Sequence, residues 1–159
     1  MFVFALSLAS CKTNDEPQYS PQFAMSEFVV SHLDATQKPD TLGAKVVDEV
    51  IVVDSISVGD TVRFAVLCNA VTNQLTSFVA TTDTTILYMK VYLGEQHTKA
   101  LDKSSVVEDC KLVFLPGYGA ASFPMEYIAR KSATANVTFT LSSTSEYSPT
   151  TLKFSQPIR

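Results

Sequence analysis

The sequence is poor in the residues that most often mark an active site or a nucleic-acid surface. Its 159 residues include no tryptophan, two histidines, three cysteines and five glycines. Lysines and arginines are scattered singly and the formal net charge is −4, so no basic stripe is available to neutralise a phosphate backbone. We therefore expect no nucleic-acid partner.

Common catalytic signatures are also missing. The motifs G-x-S-x-G, G-x-G-x-x-G, C-x-x-C and the P-loop do not occur. His32 and His97 lie far apart without metal-ligand spacing, so we expect surface roles for them, no metal and no other cofactor. The acidic pairs at 48–49 and 108–109 are expected to be solvated. The sequence predicts no catalytic residue and a protein that is not an enzyme, although a carboxylate pair that converges only in the fold stays open.

Long hydrophobic runs are absent after residue 11, where no stretch approaches the roughly 20 residues that cross a bilayer. The apolar run from Phe2 to Ala9 is shorter and ends in small residues, as signal peptides do. The sequence Leu8-Ala9-Ser10-Cys11 resembles the lipobox of bacterial lipoproteins. That resemblance implies that residues 1–10 are removed as a signal peptide and that Cys11 is lipidated, which anchors the protein to a membrane of the cell envelope.

Residues 11–21 are polar and contain two prolines, which predicts a flexible tether. Asp15-Glu16 partly resembles the acidic export signal that follows the lipidated cysteine in lipoproteins of Bacteroidetes. This resemblance implies an outer-membrane location and favours the cell surface, while the periplasmic face stays open.

The remaining residues, 22–159, show the alternation of apolar and polar side chains that is typical of antiparallel strands. The pattern is cleanest at 86–93, 136–142 and 151–158. No window shows a helical apolar stripe, and 95–105 is predicted to be loop or at most one helical turn. Nine strands are predicted, at 24–33, 46–53, 61–70, 75–81, 86–93, 110–115, 123–130, 136–142 and 151–158.

Many short strands without helices predict a two-layer sandwich or a closed barrel. The long connections at 34–44 and 94–106 can cross between sheets and favour the sandwich. Residues 58–66 and 73–78 resemble the second and third strands of immunoglobulin-like domains in small Bacteroidetes lipoproteins, and 135–157 resembles their closing hairpin. The resemblance implies a single all-β domain over 22–159, an immunoglobulin-like antiparallel β-sandwich of about 7–9 strands.

Two cysteines fall in the predicted domain. Cys68 is in phase with the apolar residues of its strand, as is Cys110 with Leu112 and Phe114, so both thiols are expected to point inward. In an exported protein they are candidates for a disulfide contributing about 3–4 kcal/mol. Two separate buried thiols are the equally open alternative.

Two further features of the surface can be predicted. Tyr88 and Tyr92 flank Lys90 on the polar face of one strand, where they form either a platform for sugars or peptides or ordinary cross-strand contacts. Tyr118 and Phe123 are candidates for a site at a loop end. Three tripeptides that begin with Asp resemble the O-glycosylation sites of Bacteroidetes, which implies glycan attachment at Thr41, Ser55 and Thr84.

Together these features predict a lipid-anchored envelope protein whose β-sandwich has a non-catalytic binding, adhesion or accessory role toward a protein or glycan partner. A pilin-like or fimbria-associated lipoprotein is the first alternative, and it requires an incomplete sandwich with an exposed groove. A small hydrolase with a loop-end site is a weaker alternative, which requires titratable residues converging in a pocket.

Overall fold

The computed structural model describes residues 17–159, which form two β-sheets packed face to face. No helix in this range is long and apolar enough to cross a membrane. The predicted signal peptide at 1–10, Cys11 and the acidic pair at 15–16 lie outside the described residues. The twelve strands are β1 (Gln22–Met25), β2 (Phe28–Ser31), β3 (Asp40–Leu42), β4 (Ala44–Val47), β5 (Val50–Val53), β6 (Thr61–Asn69), β7 (Leu75–Thr81), β8 (Leu87–Val91), β9 (Lys111–Val113), β10 (Ala120–Ala129), β11 (Thr134–Ser143) and β12 (Thr150–Pro157).

The order of the strands identifies the architecture. Sheet 1 has the order β3-β2-β6-β10-β8, with β1 continuing the line of β2 along β6, and sheet 2 has the order β4-β5-β12-β11-β7-β9. Strand pairs are antiparallel except for β5 and β12. The series β2-β6-β10-β8 and β12-β11-β7 reproduce the A-B-E-D and G-F-C orders of immunoglobulin domains. The predicted immunoglobulin-like sandwich is confirmed, and the segments 34–44 and 94–106 do connect the two sheets.

The strand count of the described residues exceeds the predicted 7–9 because two of the nine predicted strands are each divided in two and one short edge strand, β3, is added. The segment 46–53 is a hairpin, in which Val47 faces Val50 across a two-residue turn. Asp48 and Glu49 both have positive φ, at 48° and 65°, which is the geometry of a tight hairpin turn. The segment 24–33 is interrupted at Ser26, whose hydroxyl accepts a hydrogen bond from the Ala65 amide at 2.8 Å.

Within residues 17–159, helical structure is limited to two short elements in the connection between β8 and β9. A five-residue helix, α1, spans Glu95–Lys99, and one 3₁₀ turn spans Val107–Asp109. The predicted absence of a substantial helix therefore holds for the described chain. This connection also adds β9 beside β7, so it lengthens sheet 2 by one three-residue strand.

The core is a cluster of aromatic rings between the sheets. Phe64 and Tyr127 of sheet 1 face Phe139 and Phe154 of sheet 2, and all four are buried. The centroids of Phe139 and Phe154 are 5.5 Å apart, and those of Phe64 and Tyr127 are 5.9 Å apart. Rings in contact at these distances account for much of the apolar area that stabilises the sandwich.

One polar link crosses this core. The Tyr127 hydroxyl donates a hydrogen bond of 2.6 Å to Oε1 of Gln156, which is fully buried. Nε2 of Gln156 donates to the carbonyls of Asp54 and Pro157 at 2.8 and 2.9 Å. Burial raises the pKa of Tyr127, so the phenol stays protonated as a donor. The link therefore joins β10, β12 and the segment after β5.

A second buried polar residue closes one end of the sandwich. The Asp60 carboxylate is 3% exposed and accepts hydrogen bonds from the amides of Leu33 and Ser57, at 3.1 and 2.9 Å. Nδ1 of His32 lies 3.2 Å from the same carboxylate. The preceding Gly59 has a φ of +92°, and a Cβ there would lie 2.7 Å from Cδ2 of Leu33. The positive φ therefore favours glycine, and a Cβ would require the exposed Leu33 side chain to move.

Candidate functional site

The outer surface of sheet 1 carries an organised polar cluster. We call the outward-pointing side chains of β1, β2, β6, β8 and β10 the outward face. By strand alternation, the described strands place one carboxylate there, Glu126, and two cations, Arg63 and Lys90. Glu126 is paired with Arg63 on one side and with Lys90 on the other, so the three form one cross-strand row.

Glu126 is buried although it points away from the core, with 5% of its surface exposed. Nε of Arg63 donates to its Oε2 at 2.7 Å, and the Tyr92 hydroxyl donates to its Oε1 at 3.0 Å. The hydrogen bond to the carboxylate raises the pKa of Tyr92, and the same carboxylate raises the pKa of Arg63. Both carboxylate oxygens are therefore engaged, and Glu126 fixes the positions of its two neighbours.

Arg63 is held at one nitrogen and presents the others. Its side chain is 69% exposed, and its hydrogen bonding to the described residues runs through Nε alone. The two terminal nitrogens consequently face solvent in an orientation fixed by Glu126. A guanidinium presented in this way is suited to binding a carboxylate or another oxyanion through two parallel hydrogen bonds.

A shallow depression lies beside this guanidinium. It has a volume of about 350 Å³ and is lined by Arg63, Tyr92, Pro124 and Met125. We call it the Arg63 pocket. The Tyr92 ring is 47% exposed, and together with the proline it gives the pocket an apolar wall next to one cation. This combination can contact the apolar face of a ring while binding a polar substituent at its edge.

A second aromatic residue continues the surface along β8. The Tyr88 ring has Nζ of Lys90 at 5.5 Å and Cζ of Arg130 at 4.3 Å from its centroid, both within cation–π range. Nη1 of Arg130 also donates to the Thr84 carbonyl at 3.3 Å. These contacts fix the positions of two cations besides Arg63, which are Lys90 on the outward face and Arg130 at its rim.

Tyr88 and Arg130 also line a larger opening between the two sheets. This opening, the Thr82 crevice, has a volume of about 420 Å³ and is lined by Ala80, Thr81, Thr82, Thr84, Tyr88, Met89, Glu108, Asp109, Cys110 and Arg130. Oγ1 of Thr82 is buried there without a hydrogen-bond partner in the described chain. Glu108 and Asp109 are exposed, in agreement with the prediction that this pair is solvated.

The two predicted aromatic sites differ in how well they agree with the structure. Tyr88 and Tyr92 lie on the outward face, as the alternation predicts, and Tyr92 makes a cross-strand contact as well as presenting its ring. The prediction that Tyr118 and Phe123 line a site at a loop end is wrong for Phe123. Phe123 is 1% exposed and packs edge-on against Phe78 at 4.9 Å, because it occupies an inward position of β10, whereas Tyr118 is 37% exposed.

Cys68 and Cys110 are buried, as predicted, and both carry free thiols. Cys68 lies opposite Ala121, at the start of β10, whereas the Cys110 carbonyl accepts a hydrogen bond from Ala80, near the end of β7. Burial raises the pKa of Cys68 to about 12 and that of Cys110 to about 11. The structure therefore has the arrangement of two separate buried thiols and not the disulfide.

The other predicted residues lie at scattered surface positions. Thr41 and Thr84 are exposed, whereas Oγ of Ser55 is buried and lacks a hydrogen-bond partner among residues 17–159. Nδ1 of His97 accepts a hydrogen bond from the Gly94 amide at 3.0 Å, and His32 contacts Asp60. Across the described residues, no group of three His, Cys, Asp or Glu side chains is placed to hold a metal ion.

Sequence reasoning did not find the central residues of the outward face. Glu126 looks like an ordinary solvent-facing position because its partners, Arg63 and Tyr92, lie 63 and 34 residues away. A weak signal exists in the charge pattern, since Lys90 and Glu126 have opposite charge in strands that topology makes adjacent. That signal becomes usable only when the register is known.

Comparison with known proteins gives only distant similarities. No protein-family model and no curated protein matches the sequence. A DUF4466 family protein from Parabacteroides merdae is 12% identical, with a TM-score of 0.46, over 86% of this chain and 44% of that one. A family 123 glycoside hydrolase from Clostridium perfringens is 9% identical, with a TM-score of 0.41, over 67% and 22%. The PapD-like domain 7 of human CEP192 is 9% identical, with a TM-score of 0.44, over 98% and 96%.

The chain thus spans less than half the length of the first two of these proteins. Because every TM-score is below 0.5, the immunoglobulin-like architecture rests on the strand order and register of this chain. The protein is a two-sheet β-sandwich with a polar, aromatic-lined surface on sheet 1.

Proposed function

We propose that the protein is a lipid-anchored component of the bacterial cell envelope whose β-sandwich binds a glycan without chemically altering it. The sequence Leu8-Ala9-Ser10-Cys11 supports the anchor, and the acidic pair behind it favours the outer membrane and its outer surface. The observation that carries the binding proposal is the Arg63 pocket, where an exposed tyrosine ring and an oriented guanidinium adjoin an apolar wall.

Binding is favoured over catalysis by the state of the carboxylates. Glycoside hydrolysis uses two carboxyl groups that face each other across the scissile bond. On the outward face, the described strands supply one carboxylate, Glu126, and both of its oxygens are already hydrogen-bonded. The Thr82 crevice is lined by Glu108 and Asp109, but these two exposed residues are neighbours on the same 3₁₀ turn. Neither the Arg63 pocket nor the Thr82 crevice is lined by a histidine. These features support a surface that recognises its ligand and releases it unchanged.

The course of the chain supports an upright orientation on a membrane. The Thr72 hydroxyl donates to the Pro17 carbonyl at 2.9 Å and Pro21 is buried, so the chain meets the sandwich at the turn between β6 and β7. The Thr82 crevice lies at the opposite end of β7. Strands of eight to ten residues are roughly 30 Å long. If the end near Pro17 faces the membrane, the outward face would extend away from the membrane along the length of these strands.

The pilin-like alternative is disfavoured by the strand pairing. It requires a sandwich that lacks one strand and leaves a groove for a neighbour to fill. In the described chain β12 occupies the position between β11 and β5 and pairs with both. The sandwich supplies its own last strand, so strand exchange has no vacant position there.

The anchor is tested by metabolic labelling with a palmitate analogue in a bacterial host, followed by membrane fractionation. We expect the wild-type protein to be labelled and membrane-bound, and Cys11→Ala to lose both properties. A mature protein that keeps Met1 and an unmodified Cys11 would overturn the proposed location.

The binding proposal is tested with the full chain in detergent, by affinity electrophoresis through gels that contain polysaccharides. We expect retardation by at least one polysaccharide and a tenfold or greater loss of affinity in Tyr92→Ala. Tyr147→Ala is the matched control, because Tyr147 is also an exposed tyrosine, at 41%, and lies on the β11–β12 connection, away from the outward face. Equal losses in both variants, or no retardation by any polysaccharide, would refute the proposal.

A further inference from the structure

We infer that the ligand of the outward face is an acidic polysaccharide whose carboxylates are bound by Arg63 and Lys90 while its sugar rings contact Tyr92. This inference rests on the proposed function and specifies the class of glycan. It follows from the charge of this face, the presentation of Arg63 and the shape of the pocket beside it.

The outward face differs in charge from the rest of the protein. The chain has a formal net charge of −4. On the outward face, two cations and one carboxylate give +1, while Arg130 at the rim shares the Thr82 crevice with Glu108 and Asp109. The one carboxylate is buried and already paired, so it adds little repulsion toward an incoming anion. A positive face on an acidic protein attracts anions locally and orients them as they approach.

Arg63 is presented as a group that recognises an oxyanion. The 2.7 Å hydrogen bond from Nε to Glu126 fixes the plane of the guanidinium, while the terminal nitrogens remain exposed. Two parallel hydrogen bonds to a carboxylate need this geometry, which an ammonium group does not provide. Because the side chain is already oriented, less conformational entropy is lost when an anion binds.

The surroundings of Arg63 favour a saccharide as the carrier of the anion. Tyr92 and Pro124 form the apolar wall of the Arg63 pocket, which suits the apolar face of a sugar ring. Lys90 and Arg63 flank Glu126 on neighbouring strands, so their backbones are about 10 Å apart. A polymer that repeats its carboxylates along its length can contact both cations, whereas a single small anion can contact only one.

The same observations disfavour a nucleic acid. Proteins that hold a nucleic-acid backbone neutralise several phosphates, commonly six or more in a tight complex. The outward face offers Arg63 and Lys90, with Arg130 at its rim. Three cations are fewer than such a complex uses, and an acidic peptide is distinguished from a glycan by the experiment below.

The test compares two forms of one polymer. Polygalacturonate and its carboxyl-reduced, neutral form are titrated by calorimetry into the full-length protein in detergent at low salt. We expect the acidic polymer to bind at least tenfold more tightly than the neutral one, and this preference to shrink as salt is added. Arg63→Gln is expected to abolish the preference and Arg63→Lys to restore it only partly.

Two further variants, Lys90→Gln and its control Lys153→Gln, test the inference without removing a partner of Glu126. Arg63→Gln leaves Glu126 with one partner fewer, so its folding is checked by circular dichroism. Lys90→Gln leaves that pair intact and is expected to weaken binding of the acidic polymer threefold or more. Lys153→Gln is the matched control because Lys153 is an exposed strand lysine on sheet 2, and we expect no change.

The outcomes separate the two proposals. Equal binding of the acidic and neutral polymers would overturn this inference and leave the proposed glycan binding intact. Binding of poly-glutamate but of neither polymer would show that the partner is an acidic peptide, which overturns both. Binding of none of the three, together with no retardation by other polysaccharides, would refute the glycan-binding function itself.

Discussion

The link between Tyr127 and Gln156 gives the sharpest prediction about stability, because both groups are buried and their bonds are short. Tyr127→Phe removes one donor and leaves Oε1 of Gln156 unpaired, which should cost about 1–3 kcal/mol. Gln156→Met removes the Tyr127 bond and the bonds to the Asp54 and Pro157 carbonyls. The Pro157 carbonyl keeps its bond from the Ile56 amide, so two groups are orphaned at a cost of about 2–6 kcal/mol.

The double variant decides whether the two groups act together. Once Gln156 is methionine, the Tyr127 hydroxyl is itself an unpaired buried group, so Tyr127→Phe should then cost almost nothing or stabilise the protein. Urea unfolding followed by circular dichroism measures the four free energies of unfolding. Lys153→Met, at an exposed position on the same strand, should change stability by less than about 0.5 kcal/mol. If Tyr127→Phe costs the same in both backgrounds, the proposed coupling is absent.

Three further predictions concern the thiols, a glycine and a buried carboxylate. Because burial raises the pKa of Cys68 to about 12 and that of Cys110 to about 11, neither should react with a thiol reagent at pH 8 until urea unfolds the protein. Their contribution to stability should be complete below about pH 8.5 and be lost as the pH rises toward 11–12, which pH-dependent unfolding measures. Gly59→Ala should cost slightly more than Gly117→Ala in thermal unfolding, since both have positive φ but only at Gly59 must a neighbour, the exposed Leu33 side chain, move aside. Asp60→Ala should cost about 2–4 kcal/mol in urea because two backbone amides lose their acceptor, and a cost below 1 kcal/mol would contradict that role.

The sequence alone predicts the position and register of strands that bury one face. The prediction 136–142 falls within β11, Thr134–Ser143, because Val137, Phe139 and Leu141 must all point inward and a shift of one residue would expose them. The same reasoning placed both thiols inside. Alternation therefore fixes the register wherever one face packs against the other sheet.

The predicted strands are wrong where the local backbone conformation, and not burial, determines where a strand ends. The segment 46–53 is apolar enough for one strand, yet Asp48 and Glu49 turn the chain without the glycine or asparagine that usually marks a tight hairpin. The candidate site was missed for another reason. The burial of Glu126 is created by Arg63 and Tyr92, and their adjacency depends on which strands become neighbours in sheet 1.

The hairpin formed by β4 and β5 has a consequence for how the protein behaves at high concentration. All four residues of β4 are exposed, and Val46 and Val47 lie on a strand with one unpaired edge. Such an edge invites other chains to extend the sheet. Lys45 within the strand and the acidic turn that follows place three charges along these few residues. At high concentration, copies of the protein would therefore be kept apart by these charges, and this strand is the first place to look if a variant aggregates.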